Sequence, residues 1–358
     1  MSPSIAPRIE INLAKIAHNA DILIKLYRSK GIELMGVTKG VCGGAEIAKV
    51  LVEKDIHMLG DSKVKNIKSM IEAGIKAEFV LLRSPALSEI ESVIKYVNIS
   101  LNTELEVIQS LSNTALKNNS RHKIILMIEM GDLREGILPE NLEETIEEIL
   151  KLSGIELVGI GANYACFGGV KPNEEKMRKL SSLAIKIEKK FSISLSYVSG
   201  GNSANYSWFK KTDSPGRVNN LRVGESILLG RETLYRKAIP NLFTDAFTFI
   251  SEVIESKIKP SVPYGEIAQN ALGISPQFKE RGNIRRAILG VGFQDVLISG
   301  ITPKLDLEIL GSSSDHTVLD AKKLDLQVGD EVAFSLNYGA MLSVMSSPNI
   351  FKKYIYVI

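Results

Sequence analysis

Lys39 ends a short apolar run, in Gly36-Val37-Thr38-Lys39-Gly40. A lysine at a strand end, backed by apolar neighbours, can be stripped of water. Burial disfavours the ammonium and frees the amine to condense with a carbonyl as a Schiff base. The plain alternative is a solvated surface lysine. Other stretches carry the groups such an amine would need beside it. Glu129-Met130-Gly131-Asp132-Leu133-Arg134-Glu135-Gly136 offers Arg134, whose fork can grip a carboxylate or a phenolate oxygen, or simply pair with Glu135 or Asp132. The segment from Gly159 to Gly169 holds Asn163 and Cys166, a thiol that is either reactive or inertly buried. Gly159 and Gly161 begin like a dinucleotide fingerprint, but the third glycine is out of place, which rejects that reading. Ser199-Gly200-Gly201-Asn202-Ser203 sets small residues and a hydroxyl where backbone N–H groups could meet an anion; a mobile surface turn is the alternative. Asn220-Leu221-Arg222-Val223-Gly224-Glu225 adds a second glycine and a cation, Arg222, which could also be an ordinary surface arginine.

The elements that must position these groups alternate. Residues 12–30 have a helical period, with Asn12 as the cap and Leu13, Ile16, Ala17, Ala20, Leu23, Ile24 and Tyr27 on one face. The run before Lys39, at 34–38, is of strand length, and a helical stretch, 45–53, follows. Further apolar runs fall at 57–60, 78–82, 98–101, 123–129, 156–161, 196–199 and 226–229, with helix-like stretches between most of them. The clearest of these helices, 139–152, has Pro139 in its first turn and Gly154 after its end. Eight strands alternating with helices imply a parallel (β/α)8 barrel of the TIM type. An open doubly wound sheet, the competing architecture, normally uses fewer strands. In such a barrel the active-site groups lie at the C-terminal strand ends, and the loops after strands seven and eight bind phosphate. That rule brings Lys39, Arg134, Arg222 and the loop at Ser203 to one end. Beyond residue 234 short alternating runs take over, at 249–258, 286–291, 306–310, 331–335 and 354–358, with turns at 311–315 and 329–330 and no long helical period. The expected domains are a barrel over 12–234 and an all-β domain made of 1–11 with 235–358.

Composition narrows the classes. Of 358 residues, 44% are hydrophobic and 24% charged, ordinary globular values that argue against disorder. The net charge is +3 and no dense Lys/Arg stripe interleaves with aromatics, so a nucleic-acid partner is not expected. Two cysteines, Cys42 and Cys166, make no disulfide framework and fit a reducing compartment. The four histidines are scattered without ligand spacing, so no metal is expected. Residues 1–8 lack a signal-peptide pattern, and no apolar run reaches the length of a membrane span. The expected location is the cytoplasm, without a membrane partner.

With these residues in view, the sequence resembles the fold-type III pyridoxal-phosphate enzymes, most closely the alanine/ornithine racemase family. The likeness covers nearly the whole chain. It is carried by Arg8-Ile9-Glu10-Ile11-Asn12-Leu13 with Asn19, by Thr38-Lys39, by Ser199-Gly200-Gly201-Asn202-Ser203, by Leu221-Arg222-Val223-Gly224-Glu225 and by Leu336-Asn337-Tyr338. Its most specific stretch, Gly131-Asp132-Leu133-Arg134-Glu135-Gly136, points to the ornithine-racemase branch. The resemblance implies pyridoxal 5'-phosphate held by Lys39, which would also be one catalytic base. Ser203, Gly224 and Tyr338 would hold the phosphate, Arg222 the pyridine nitrogen, and Arg134 the phenolic oxygen or substrate carboxylate. Asn163 and Glu225 would also line the cofactor. It implies a homodimer whose partner subunit completes the site, and a small-molecule amino acid as substrate, ornithine or lysine first, alanine or serine after them. The alanine racemases place a tyrosine as second base where this chain has Phe293, in Gly290-Val291-Gly292-Phe293-Gln294-Asp295, and Gly43 stands where they carry another tyrosine. Phenylalanine moves no proton. Candidates for the second base are Asp315 and His316, which fall where those enzymes place another partner-subunit loop, and Cys166. Asp315 could instead simply cap a turn. The rival functions are a decarboxylase or lyase on the same scaffold, and a non-catalytic pyridoxal-phosphate carrier.

Overall fold

The computed structural model describes residues 5–270, 273 and 275–357. The chain forms two compact units, Lys15–Thr244 and a discontinuous one made of Met1–Ala14 with Asp245–Ile358. The first strand, β1 (Arg8–Asn12), belongs to the discontinuous unit.

In Lys15–Thr244, among the described residues, eight parallel strands close into a barrel in sequence order. They are β2 (Glu33–Val37), β3 (Met58–Asp61), β4 (Glu78–Leu81), β5 (Ile99–Asn102), β6 (His122–Ile128), β7 (Ile155–Ala162), β8 (Tyr197–Asn202) and β9 (Asn220–Val223). The ring is shut by β2 against β9, with Met35 opposite Arg222 and Gly36 opposite Val223. Alternate side chains from six successive strands, Met35, Met58, Val80, Ile99, Leu101, Ile125, Met127 and Val158, form one buried cluster, so the barrel is a filled core. Gly60 belongs to that filling: a Cβ there would meet Leu82 and the Met35 sulfur at 2.9 Å. The helices outside are amphipathic. Leu142–Leu150 buries Leu142, Ile146 and Ile149 and follows a 3-10 turn opened by Pro139. Glu174–Phe191 is capped by Asn173, whose Oδ1 accepts from the Lys176 N–H at 2.9 Å.

One local expectation changes. Residues 226–229 are not a strand; the eighth strand is β9, and Glu225–Leu229 is a buried helical turn closed by Gly230 at φ +62°. A short apolar run buried on all sides has no period, so its pattern does not distinguish strand from helix. Asn12 directly precedes the first helix, Leu13–Arg28. It ends β1, and its amide donates to the Val357 carbonyl at 2.9 Å.

The second unit holds β10 (Phe247–Pro260), β11 (Asn283–Leu289), β12 (Ile301–Pro303), β13 (Glu308–Ser312), β14 (Thr317–Asp320), β15 (Glu331–Leu336) and β16 (Phe351–Ile355). They run in the order β12-β15-β10-β11-β14-β13. β1 joins them by pairing antiparallel with β10 and parallel with β16. Arg8, almost wholly buried, holds this junction with a two-pronged bond to Glu331 at 2.5 and 2.8 Å and one to Glu10 at 3.0 Å. The unit is not all β: helix Tyr338–Ser346 lies between β15 and β16. Asn337 caps it through a bond from the Ala340 N–H at 2.9 Å. Its sequence is apolar nearly all round, without the polar face that would reveal a helical period. The run expected over 354–358 is in place three residues earlier, and Ile358 lies outside the described residues. Among the described residues no helix is long and apolar enough to cross a membrane, and no group of three or more His, Cys, Asp and Glu could hold a metal ion.

Candidate active site

The 3-10 turn Lys39–Val41 follows β2, which puts Lys39 at the C-terminal end of a barrel strand. Its side chain is half-buried. Loss of water pushes its pKa down, and the charges of Arg134 and Arg222 push the same way, while Cys166 and Asp61 oppose them. Residues at or after β3, β6, β7 and β9 therefore act on the one amine that follows β2, and Lys39, Arg134, Cys166 and Arg222 share one electrostatic neighbourhood.

Arg222, on β9, is buried. Its Nη1 donates to Ser199 Oγ at 2.6 Å, and its Nη2 to the Ala162 carbonyl at 2.8 Å and to Asn163 Oδ1 at 3.4 Å. Ser199 in turn donates to Asn220 Oδ1 at 2.7 Å. Burial brings the guanidinium pKa down to about 10, which still leaves it a cation at neutral pH. Beside it, two buried polar atoms have no partner: Asn163 Nδ2 and the Tyr164 hydroxyl. Buried donors are normally satisfied, so these two point to a group that the protein alone does not supply.

The loop after β6 is built around Asp132. It is buried, and its carboxylate accepts the backbone N–H groups of Cys166 and Phe167, at 3.2 and 3.0 Å, and of Val170, at 3.2 Å. Asp132 thus acts on Arg134 only through its charge, while its hydrogen bonds clamp the loop after β7 to the loop after β6. Arg134 is exposed, donates through Nε and Nη2 to Glu135, and through Nη1 to the Cys166 sulfur. Glu135 therefore occupies the fork that a substrate carboxylate or phenolic oxygen would use.

Ser203 opens the 3-10 turn Ser203–Asn205 and accepts the Ser226 N–H on its Oγ at 3.2 Å, which joins the loops after β8 and β9. Asn202 Oδ1 accepts from the Ala204 N–H at 2.8 Å and shapes the same turn. Gly224 packs on the end of β2: a Cβ would lie 3.0 Å from both Val37 Cβ and the Val37 carbonyl oxygen. Ser203, Gly224 and the turn that begins at Lys39 are so gathered at one end of the barrel. Glu225 is buried there with a raised pKa from desolvation, and its carboxylate is taken by Arg236.

Tyr338, Asp315 and His316 belong to the other unit. Tyr338 is the first residue of helix Tyr338–Ser346 and is half-buried. Asp315 and His316 form the exposed turn between β13 and β14, where His316 Nδ1 bonds Asp315 Oδ1 at 2.8 Å. That hydrogen bond holds the Asp315 carboxyl below its usual range. The Phe293 and Gln294 N–H groups donate to the Ser313 and Ser314 carbonyls, both at 3.0 Å, so the turn abuts the segment bearing Phe293. The sequence reading named Asp132 only as a possible arginine partner, and gave Ser199 and Tyr164 no role of their own. Ser199 alone of these carried a local signal, its place directly before the strand-end glycines Gly200 and Gly201.

Residues 11–232 match the family profile described as alanine racemase, N-terminal domain. The chain belongs to the alanine racemase family. It is 39% identical to an ornithine racemase of Acetoanaerobium sticklandii, over 97% of this chain and 99% of that protein. Against a lysine racemase of Thermotoga maritima the identity is 37%, over 98% and 99%. A solved alanine racemase from Clostridium difficile has the same fold, with a TM-score of 0.74 at 21% identity over 99% of this chain and 96% of that one. The alanine racemase family uses pyridoxal phosphate.

Proposed function

We propose that this chain is a pyridoxal-phosphate-dependent racemase of basic amino acids, working in the cytoplasm as a homodimer. That it is an amino-acid racemase follows from its family and from two relatives of that activity matched over almost their full length. The observation that carries the rest is the half-buried amine of Lys39 under the joint influence of Arg222 and Arg134, at the barrel end where Ser203 and Gly224 make a small-residue cradle.

These residues suit an aldehyde cofactor bearing a phosphate, which when bound would draw charge from the carbon losing its proton. Lys39 would hold it covalently and carry a proton to and from the substrate α-carbon. Ser203 and Gly224, with Tyr338, would hold the phosphate. Arg222 would face the ring nitrogen and, having no proton to give up, would leave it unprotonated. Asn163 Nδ2, unpartnered beside Arg222, would gain its acceptor there. Arg134 would turn from Glu135 to the cofactor or the substrate carboxylate. Racemisation needs a second proton carrier on the opposite face. We assign it to the Asp315–His316 pair of a partner subunit, or to Cys166. Basic substrates are favoured by the ornithine and lysine racemases among the relatives; alanine and serine remain secondary substrates.

Circular dichroism of both enantiomers of the common amino acids and ornithine tests this reading. Ornithine or lysine should lose optical activity from either enantiomer without release of carbon dioxide or ammonia. Gas or ammonia release would point to a decarboxylase or lyase, and no turnover despite full cofactor occupancy to a carrier. Mixing Lys39→Ala with Asp315→Ala/His316→Ala subunits should restore activity if each site draws on two subunits.

A further inference from the structure

Asp61 ends β3 and is fully buried, a placement that costs stability unless donors surround the charge. Three do. Thr38 Oγ1 donates to Oδ2 at 2.8 Å, and the Lys63 N–H and Asn66 Nδ2 donate to Oδ1 at 3.0 and 2.9 Å. Burial pushes the Asp61 pKa up, and the convergent donors, which favour the ionised carboxylate, an acceptor only, oppose that rise. Thr38 precedes Lys39 in the chain. Its N–H donates to the Gly60 carbonyl at 2.9 Å, and its carbonyl accepts from Val41 and Gly43 at 2.9 and 3.2 Å, so it anchors the whole turn that carries the amine. At the far end of that turn Gly43 (φ +66°) lies so close to Asn66 that a Cβ would stand 2.8 Å from the Asn66 Cβ. Asp61 thus grips one residue at each side of the Lys39 turn.

We propose that Asp61 is the positioning residue for Lys39, fixing its turn through Thr38 and Asn66 and supplying the negative charge that favours the ammonium formed when the amine takes a proton. This rests on the racemase reading above. The charged groups acting on Lys39 are Arg134 and Arg222, which disfavour the ammonium, and Cys166 and Asp61, which oppose them. Asp61 is the one of those two that is buried and hydrogen-bonded to the turn bearing Lys39, whereas Cys166 is exposed.

Three variants separate geometry from charge: Asp61→Asn, Thr38→Val, which removes the hydroxyl's bond to Asp61 together with its longer one to the Gly60 carbonyl at 3.3 Å, and Thr38→Ser, which keeps both. Two readouts serve: steady-state kinetics with ornithine, and the pH midpoint of the Lys39 amine in the cofactor-free protein, followed by acetic anhydride labelling and mass spectrometry. Asp61→Asn should move that midpoint to lower pH by about one unit. Asp61→Asn and Thr38→Val should each lower kcat about tenfold with KM changed less than about twofold, as expected for misplacement of a reacting group. Thr38→Ser should behave as wild type. A Lys39 midpoint unmoved in Asp61→Asn, or a Thr38→Val enzyme with wild-type kcat per folded molecule, overturns the proposal, even if the melting temperature falls. Should Asp61→Asn fail to fold, the two Thr38 variants decide. If the wild-type chain racemises nothing, the racemase reading fails, while the labelling midpoint still judges Asp61.

Discussion

At the scale of single residues, the site is a set of groups kept in unfavourable surroundings. Lys39 is desolvated and faces two arginines, so its charged form is strained in the cofactor-free protein. Lys39→Ala should therefore abolish the visible absorbance of the bound cofactor and all racemisation, while the cofactor-free variant melts no lower than wild type; a retained visible band excludes Lys39 as the anchor. Arg222 differs, because its donors are taken by Ser199, Ala162 and Asn163. Arg222→Leu should take the shortest donor from Ser199 Oγ and from the Ala162 carbonyl and cost about 1–3 kcal/mol in a urea titration, besides weakening cofactor binding. Lys39 was legible in the sequence because it stands at the end of an apolar run between Thr38 and Gly40, and Arg222 because it is a cation inside an apolar run, two residues before Gly224. Asp132 was not, since its work is done on backbone N–H groups more than thirty residues away, and no local pattern announces that.

At the scale of elements, the loops after the barrel strands are shaped by close backbone contact. The loop after β6 returns to its own strand, with the Glu129 N–H on the Ile137 carbonyl and the Ile137 N–H on the Met127 carbonyl, both at 2.9 Å. Gly136 allows that return: its φ is +145°, and a Cβ would fall 2.3 Å from the Glu129 nitrogen. Gly136→Ala should destabilise the chain by about 2–4 kcal/mol in denaturant titration, because backbone must move to admit the methyl. Asp132→Ala should speed amide exchange at Cys166, Phe167 and Val170 at least about tenfold while the barrel strands stay protected; unchanged exchange there would show that the clamp is dispensable. Seven of the eight barrel strands were readable as apolar runs, since strands buried on both faces are apolar throughout. The eighth was misplaced onto the helical turn Glu225–Leu229, and helix Tyr338–Ser346 was missed, for one reason. Periodicity exists only where one face meets water, and these two short segments lack a clear polar face.

At the scale of the whole molecule, pH dependence of stability turns on a histidine far from the chemistry. His122, at the start of β6, is buried against Ser100 Oγ at 2.8 Å, and burial lowers its pKa from 6.5 to about 4. Between those values the unfolded chain binds a proton that the folded one does not, so stability is lost as pH falls through that window. The loss approaches about 3 kcal/mol by pH 4. Melting curves from pH 7 to pH 4 should show this decline, and His122→Gln should flatten it; parallel curves for the two would place the acid sensitivity elsewhere. The discontinuous unit has another consequence. β1 is hydrogen-bonded on one side to β10 and on the other to β16, the last strand among the described residues. On the ribosome, then, β1 must wait for β10 and β16, both made after the barrel, before its two edges are paired. The barrel, complete in residues between those strands, can close first, as an insertion maturing inside a host that is still being written.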